Sequence, residues 1–210
     1  MFVKSFLFAV SIFLFFSSFS WSKTRLGNYY VGFGVGRLDH PSQRVDVNGT
    51  RQFKEMDGVI FDVDLNLPLS YAFDFNLNFA RSDFSDDNFS MHHNQLDGAL
   101  FYSMHFLERK TGFLLPYVGL GLQYSETKDD KARYAGKLHT GAEFYLSESL
   151  TFSPRISYVN SFMDLNKNHF EVDLSLTWLA MKRHALALRF SKNVEVQSST
   201  IGLQYLHSWL

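Results

Sequence analysis

Residues 59–67 read Val59-Ile60-Phe61-Asp62-Val63-Asp64-Leu65-Asn66-Leu67. In an extended chain successive side chains point to opposite faces, so Val59, Phe61, Val63, Leu65 and Leu67 share one side and Ile60, Asp62, Asp64 and Asn66 the other. A soluble sandwich core could not hold that second face, because a buried charge without a partner is strongly unfavourable. Both faces are satisfied when the apolar side meets lipid and the charged side meets a wet or ion-paired lumen.

The same period of two recurs in both directions from this stretch, and helical i, i+3, i+4 patterning is absent. Upstream, Tyr29, Val31, Phe33 and Val35 alternate with Gly32, Gly34 and Gly36. Downstream, Tyr71, Phe73, Phe75, Leu77 and Phe79 oppose Asp74, Asn76 and Asn78. Leu96, Leu100, Tyr102, Met104 and Phe106 oppose Asp97, Phe101, Ser103 and His105. Val118, Leu120 and Leu122 oppose Gly119, Gly121 and Gln123. Leu138, Ala142, Phe144 and Leu146 oppose Lys137, His139, Gly141 and Glu143, and Phe152, Ile156 and Tyr158 oppose Ser153, Arg155 and Ser157. Phe170, Val172, Leu174, Leu176 and Trp178 oppose Glu171, Asp173 and Ser175. Leu186, Leu188 and Phe190 oppose Arg189 and Ser191, and Ile201, Leu203, Tyr205 and Trp209 oppose Gly202, Gln204 and Ser208.

The segments predict an all-β chain: a transmembrane antiparallel up-and-down β-barrel of about ten strands, with eight the alternative, each strand roughly 9 to 12 residues long. Short turns around Pro68, 147–149 and 181–184 are expected in the periplasm. Longer polar loops at 39–56, 83–93, 127–133, 160–168 and 192–199 are expected outside the cell. A soluble lipocalin-like barrel also alternates, but it turns its apolar face inward. Here the smaller face carries Gly, Asp and Asn, and the bulky aromatic face suits lipid, with Tyr and Trp at headgroup level.

The amino-terminal segment fits export. Lys4 precedes an apolar run over 6–16, and small residues follow at Ser18, Ser20 and Ser22. A spanning helix needs about 20 apolar residues, and the serines from Ser17 onward interrupt this run too early. Residues 1–22 are therefore read as a signal peptide cleaved after Ser22, with Ser20 the alternative site, and 23–210 as the barrel domain. The 210-residue chain has no Cys, which excludes a lipoprotein anchor and disulfides. Loss of Lys4 takes the formal charge from −1 to −2, and the basic residues are scattered, so nucleic acid is not an expected partner.

Tyr29-Tyr30-Val31-Gly32-Phe33-Gly34-Val35-Gly36 resembles the aromatic-then-glycine opening strand of the small outer-membrane β-barrel superfamily, which includes the outer-membrane protein A-like transmembrane domains and the opacity-type surface proteins. An amphipathic last strand ending in aromatics completes the resemblance, which covers the whole mature chain. It implies residence in the cell outer membrane among its lipids and lipopolysaccharide, and insertion by the barrel-assembly machinery. Family members typically end on the aromatic that this machinery reads. Here Leu210 follows Trp209, and His207 stands in the alternating series. With the chain ending at its last strand, a peptidoglycan-tethering domain is not expected.

The predicted lumen holds Asp62, Asp64, Asp74, Asp97, Glu143, Glu171 and Asp173 against Lys137, Arg155 and Arg189, with His139 and His105 able to join either side. Two readings follow: a plug of internal ion pairs, or a narrow cation-preferring pore, since rings of carboxylates favour cations. The plug is preferred because side chains fill a barrel of this strand number. His92 and His93 share an expected outer loop with Asp83, Asp86 and Asp87, but no metal-ligand spacing or base-orienter pair emerges. Ser157, His139 and Glu143 suggest acyl transfer only if they meet, and no nucleophile motif surrounds the serine. The segment 39–55 mixes Arg44, Arg51 and Lys54 with Asp39, Asp46 and Glu55, which suits lipopolysaccharide phosphates or a surface partner. The expectation is a non-enzymatic structural or surface-interaction barrel without cofactor or metal, with a small diffusion pore second and an outer-rim lipid- or peptide-directed enzyme a distant third.

Overall fold

The computed structural model describes residues 29–47, 50–86, 89–105, 107, 112–127, 132–162, 168–195 and 197–209. They form ten strands: β1 (Tyr30–Val47), β2 (Thr50–Pro68), β3 (Phe73–Asp86), β4 (Phe89–Ser103), β5 (Leu114–Thr127), β6 (Arg133–Tyr145), β7 (Leu150–Ser161), β8 (His169–Met181), β9 (His184–Asn193) and β10 (Ser199–Ser208). Each pairs antiparallel with its chain neighbours, and β1 pairs β10 from Tyr30↔Ser208 to Asp39↔Ser199. The sheet is thus a closed up-and-down barrel. Closure removes the edges that an open sheet would leave unpaired, which a lipid environment requires. The expected signal peptide, 1–22, lies outside the described residues.

Exposure inverts that of a soluble protein. Phe33, Val35, Phe61, Leu120, Leu122, Leu138, Ile156, Leu188 and Leu203 are all exposed on the outer wall, whereas Asp64, Asp74, Lys137, His139, Glu143 and Gln204 are buried inside. Such a continuous apolar belt is far larger than a soluble monomer shows, and it matches the lipid face of a transmembrane barrel. Aromatic pairs bridge neighbouring strands on this wall. Phe73–Tyr102 sits toward one end (centroids 5.2 Å apart), and Tyr124–Tyr134 (5.4 Å) and Tyr158–Phe170 (5.1 Å) toward the other. These are the positions where amphipathic rings meet the membrane–water interfaces. Among the described residues no helix is long and apolar enough to cross a membrane.

The lipid assignment carries a sharp consequence at Leu120, midway along β5 and 69% exposed. Leu120→Arg is expected to cost about 2–4 kcal/mol against a bilayer midplane, compared with about 0.5 kcal/mol or less on a soluble surface. Denaturant unfolding in lipid vesicles measures the difference.

The structure corrects four details of the sequence reading. Strands run from 10 to 19 residues, longer than expected. The segments 39–56 and 83–93 are not loops: β1 and β2 continue as a hairpin with pairs as far as Val47↔Thr50, and β3 and β4 as far as Asp86↔Phe89. Polar sequence hid these strands, since hairpins standing in water keep the backbone ladder without an apolar face. A register shift between His40 and Gln43 coincides with Pro41, which has no N–H to give the ladder. Third, β4 stops at Ser103: Met104 donates its N–H to the Pro116 carbonyl, and Leu107 N–H turns back to the Met104 carbonyl. Phe106 lies outside the described residues. Fourth, Tyr29 is not on the lipid face: it precedes β1, is buried, and donates its hydroxyl toward the Pro68 carbonyl.

Candidate functional site: the barrel lumen

The lumen is built around a glycine. Gly34 on β1 pairs with Asp62 on β2 and with Gln204 on β10. A Cβ at Gly34 would stand 2.0 Å from Asp62 Oδ1, so only glycine lets the Asp62 side chain cross β1. Beyond it, Asp62 Oδ2 accepts hydrogen bonds from Gln204 Nε2 at 2.8 Å and from Arg189 Nη1 on β9 at 3.1 Å. One carboxylate therefore ties β2 to β9 and β10 across the closing seam.

Two more ion-paired groups fill the wall. Lys137 on β6, with its side chain 5% exposed, sits between Glu171 Oε2 at 3.0 Å and Asp97 Oδ2 at 3.4 Å. Gln95 Nε2 donates to the same Asp97 oxygen at 2.7 Å, and His169 Nε2 lies 3.2 Å from Glu171 Oε1. Arg155 Nε on β7 donates to Asp173 Oδ2 on β8 at 3.0 Å. Hydrogen bonds to charged groups in a poorly solvated interior are stronger than their aqueous counterparts, so these groups rigidify the wall. Lower down, Asn76 Nδ2 donates to Asp64 Oδ1 at 2.8 Å, and Asn66 Nδ2 to Asp74 Oδ1 at 3.2 Å.

Below these charges the inward side chains pack closely, and Asn66, Asp74, Ser103, Leu115 and Glu143 are almost without exposure. Ala99, Phe101, Leu115 and Tyr117 form one buried apolar cluster, joined by Tyr145, and Tyr30, Ala185, Ala187 and Leu206 form another. Phe101 meets Tyr117 edge-on, with centroids 5.6 Å apart and planes at 88°. It also lies over Gly119, where an added Cβ would fall 2.5 Å from the ring. Both rings lie along the wall because the next strand offers glycine: Phe101 covers Gly119, and Tyr117 covers Gly141.

Above this floor stands a cavity of about 940 Å³. It extends past Lys137, Glu171 and Asp97 to Thr127, Arg133, Ser161, His169, Asn193 and Thr200 at the end of the long hairpins. Asn66, Asp74 and Leu115, almost fully buried, lie outside its lining, toward the short-turn end. The lumen is a cup.

Of the eleven side chains singled out from sequence, Asp62, Asp64, Asp97, Lys137, His139, Glu143, Arg155, Glu171, Asp173 and Arg189 line the cavity, and Asp74 lies beneath its floor. His139 and Ser157 do meet, Nδ1 to Oγ at 2.8 Å. Ser157 is wholly buried, with its hydroxyl held against the imidazole. His92 and His93 part company. His93 turns into the cavity mouth, with Nδ1 3.0 Å from Thr127 Oγ1, whereas His92 faces outward 3.2 Å from Asp83 Oδ1. Adjacent strand residues cannot chelate one ion together when they point to opposite faces. The side chains of Asp86, Asp87, Arg44, Asp46, Arg51, Lys54 and Glu55 lie outside the described residues. Sequence reasoning missed the floor, although an inward Phe101 with glycines at inward positions of the next strand was a legible sign of it.

No protein-family model and no curated protein sequence matches the chain. Solved structures do. An outer membrane channel from Pseudomonas putida F1 aligns over 92% of this chain and 100% of its own at 9% identity, with a TM-score of 0.52. The translocator domain of the autotransporter NalP from Neisseria meningitidis aligns over 100% and 95% at 10% identity, with a TM-score of 0.51. At such identities the likeness lies in the fold. Together with the closed ten-strand sheet and the lipid-facing apolar belt, it establishes that the chain has the fold of the small outer-membrane β-barrels.

Proposed function

We propose that this chain is a non-enzymatic outer-membrane barrel, exported through a cleaved signal peptide and inserted by the barrel-assembly machinery, that passes little or no current and acts through its outer hairpins. The packed floor carries this reading: Leu115, Asn66, Asp74 and Glu143 are almost without exposure toward the short-turn end, with Phe101 and Tyr117 clustered on one part of the wall and Tyr30 and Leu206 on another, and side chains packed this closely leave an ion little room. The short turns face the periplasm. The β1–β2 and β3–β4 hairpins stand above the membrane among lipopolysaccharide, where a surface partner would meet them.

A cation-preferring pore is the second reading, favoured by the excess of carboxylates over lysine and arginine around the cavity. Planar-bilayer recording separates the two. The protein, purified from outer membranes of an expressing cell and migrating as a heat-modifiable barrel, is expected to be electrically silent. Stable cation-selective steps would establish the pore instead.

A further inference from the structure

A second cluster of chemically capable side chains lies on the outer wall, at the short-turn rim. His184 opens β9 and pairs across the strands with His207 near the end of β10. Both fall on the apolar outer face, in series with Leu186 and Leu188 on one strand and Leu203 and Tyr205 on the other. Their Nδ1 atoms face each other at 3.5 Å, with ring centroids 5.0 Å apart. His184 Nδ1 also contacts the Tyr205 hydroxyl, so two imidazole nitrogens and a phenol oxygen gather at one point.

The separation suits a shared ion better than a hydrogen bond. N–H···N contacts close to about 3 Å, whereas two imidazole nitrogens held at about 2.0–2.1 Å from a tetrahedral metal stand about 3.4 Å apart. We infer that His184 and His207 form a two-imidazole site for one divalent transition-metal ion in near-tetrahedral coordination, at the membrane–water boundary of the short-turn rim. Imidazole nitrogens take copper, nickel and zinc, and copper heads the affinity order. The exposed Met181, opposite His184 across the β8–β9 turn, brings a soft thioether to the same rim. Trp178 and Trp209, both exposed, mark this level as the headgroup boundary, which aqueous ions reach. Lys182 and Arg183 of the adjoining turn oppose a bound cation, while among the described residues no group of three or more His, Cys, Asp or Glu converges. The site is therefore of moderate affinity, completed by water. An ion there clips β9 to β10, one strand from the β10–β1 closure.

Calorimetric titration of the detergent-solubilised protein with Cu²⁺ in a non-chelating buffer tests this. One saturable equivalent is expected. His184→Ala and His207→Ala should each weaken it at least tenfold, and His92→Ala, at the far end of the barrel, should leave it unchanged. Heat-modifiable migration confirms folding of each variant. Equal affinity in all three variants, or no saturable binding to the natural chain, would overturn the proposal. Electron paramagnetic resonance of the natural chain with one equivalent of Cu²⁺ needs no variant: hyperfine structure from two nitrogens supports the site, and an oxygen-only or single-nitrogen spectrum refutes it.

Discussion

Replacing Phe101 and Tyr117 together by alanine is expected to turn an electrically silent barrel into one that passes current in discrete steps. Both rings project into the bore from neighbouring strands, meet edge-on, and sit beneath the cavity as part of its floor. Their removal takes the two buried aromatic rings out of that cluster and leaves Ala99, Leu115 and, at its margin, Tyr145. Truncating each buried ring costs about 3–5 kcal/mol in a soluble core, so the variant will unfold at lower denaturant concentration. The barrel ladder itself is untouched, and heat-modifiable migration reports whether it survives. Phe101→Ala alone is the milder version and should give smaller, intermittent steps. Since the cavity walls carry more carboxylates than lysines and arginines, the new current should favour cations. A folded but silent double variant would show that the closure lies elsewhere, in the Tyr30, Ala185, Ala187 and Leu206 cluster.

The second large effect is energetic. Lys137→Met should destabilise the barrel by about 3–5 kcal/mol, because it leaves the Asp97 and Glu171 carboxylates together without the cation between them. Burial of the pair is not the source of stability, since desolvation of buried ions offsets their attraction. The damage comes from stranding one sign of charge. Adding Glu171→Gln to Lys137→Met should therefore recover part of the loss, a non-additivity that a double-mutant cycle in vesicles reads directly. Strict additivity would mean that Lys137 and Glu171 act independently, against the 3.0 Å contact. Lys137→Met should also remain electrically silent, because the aromatic floor beneath it is intact. The two variants thus separate the cost of stranded charge in the wall from the proposed closure of the bore at the floor.

Much of this architecture is legible in the chain. Period-two alternation placed every strand and told inside from outside at Phe61 and Asp62, Leu138 and His139, Leu188 and Arg189, because a strand's geometry fixes side-chain direction residue by residue. The outer hairpins were missed for the converse reason: away from lipid, alternation has no apolar face to mark it, and the ladder continues on backbone hydrogen bonds alone. The acids and bases of the lumen could be named from sequence, but not their partners.

The amino-acid sequence by itself determined a lipid-facing barrel of about ten strands, with a charged interior and an aromatic outer wall. The pattern is local, and each strand writes it independently of the others. Only the tertiary structure decided that Asp62 crosses Gly34 to reach Arg189, separated by 127 positions in sequence, that Lys137 stands between Asp97 and Glu171, and that Phe101 and Tyr117 meet edge-on inside the barrel. Those contacts depend on the stagger between strands and on the closure of β1 against β10, a property of the whole sheet that no single strand carries.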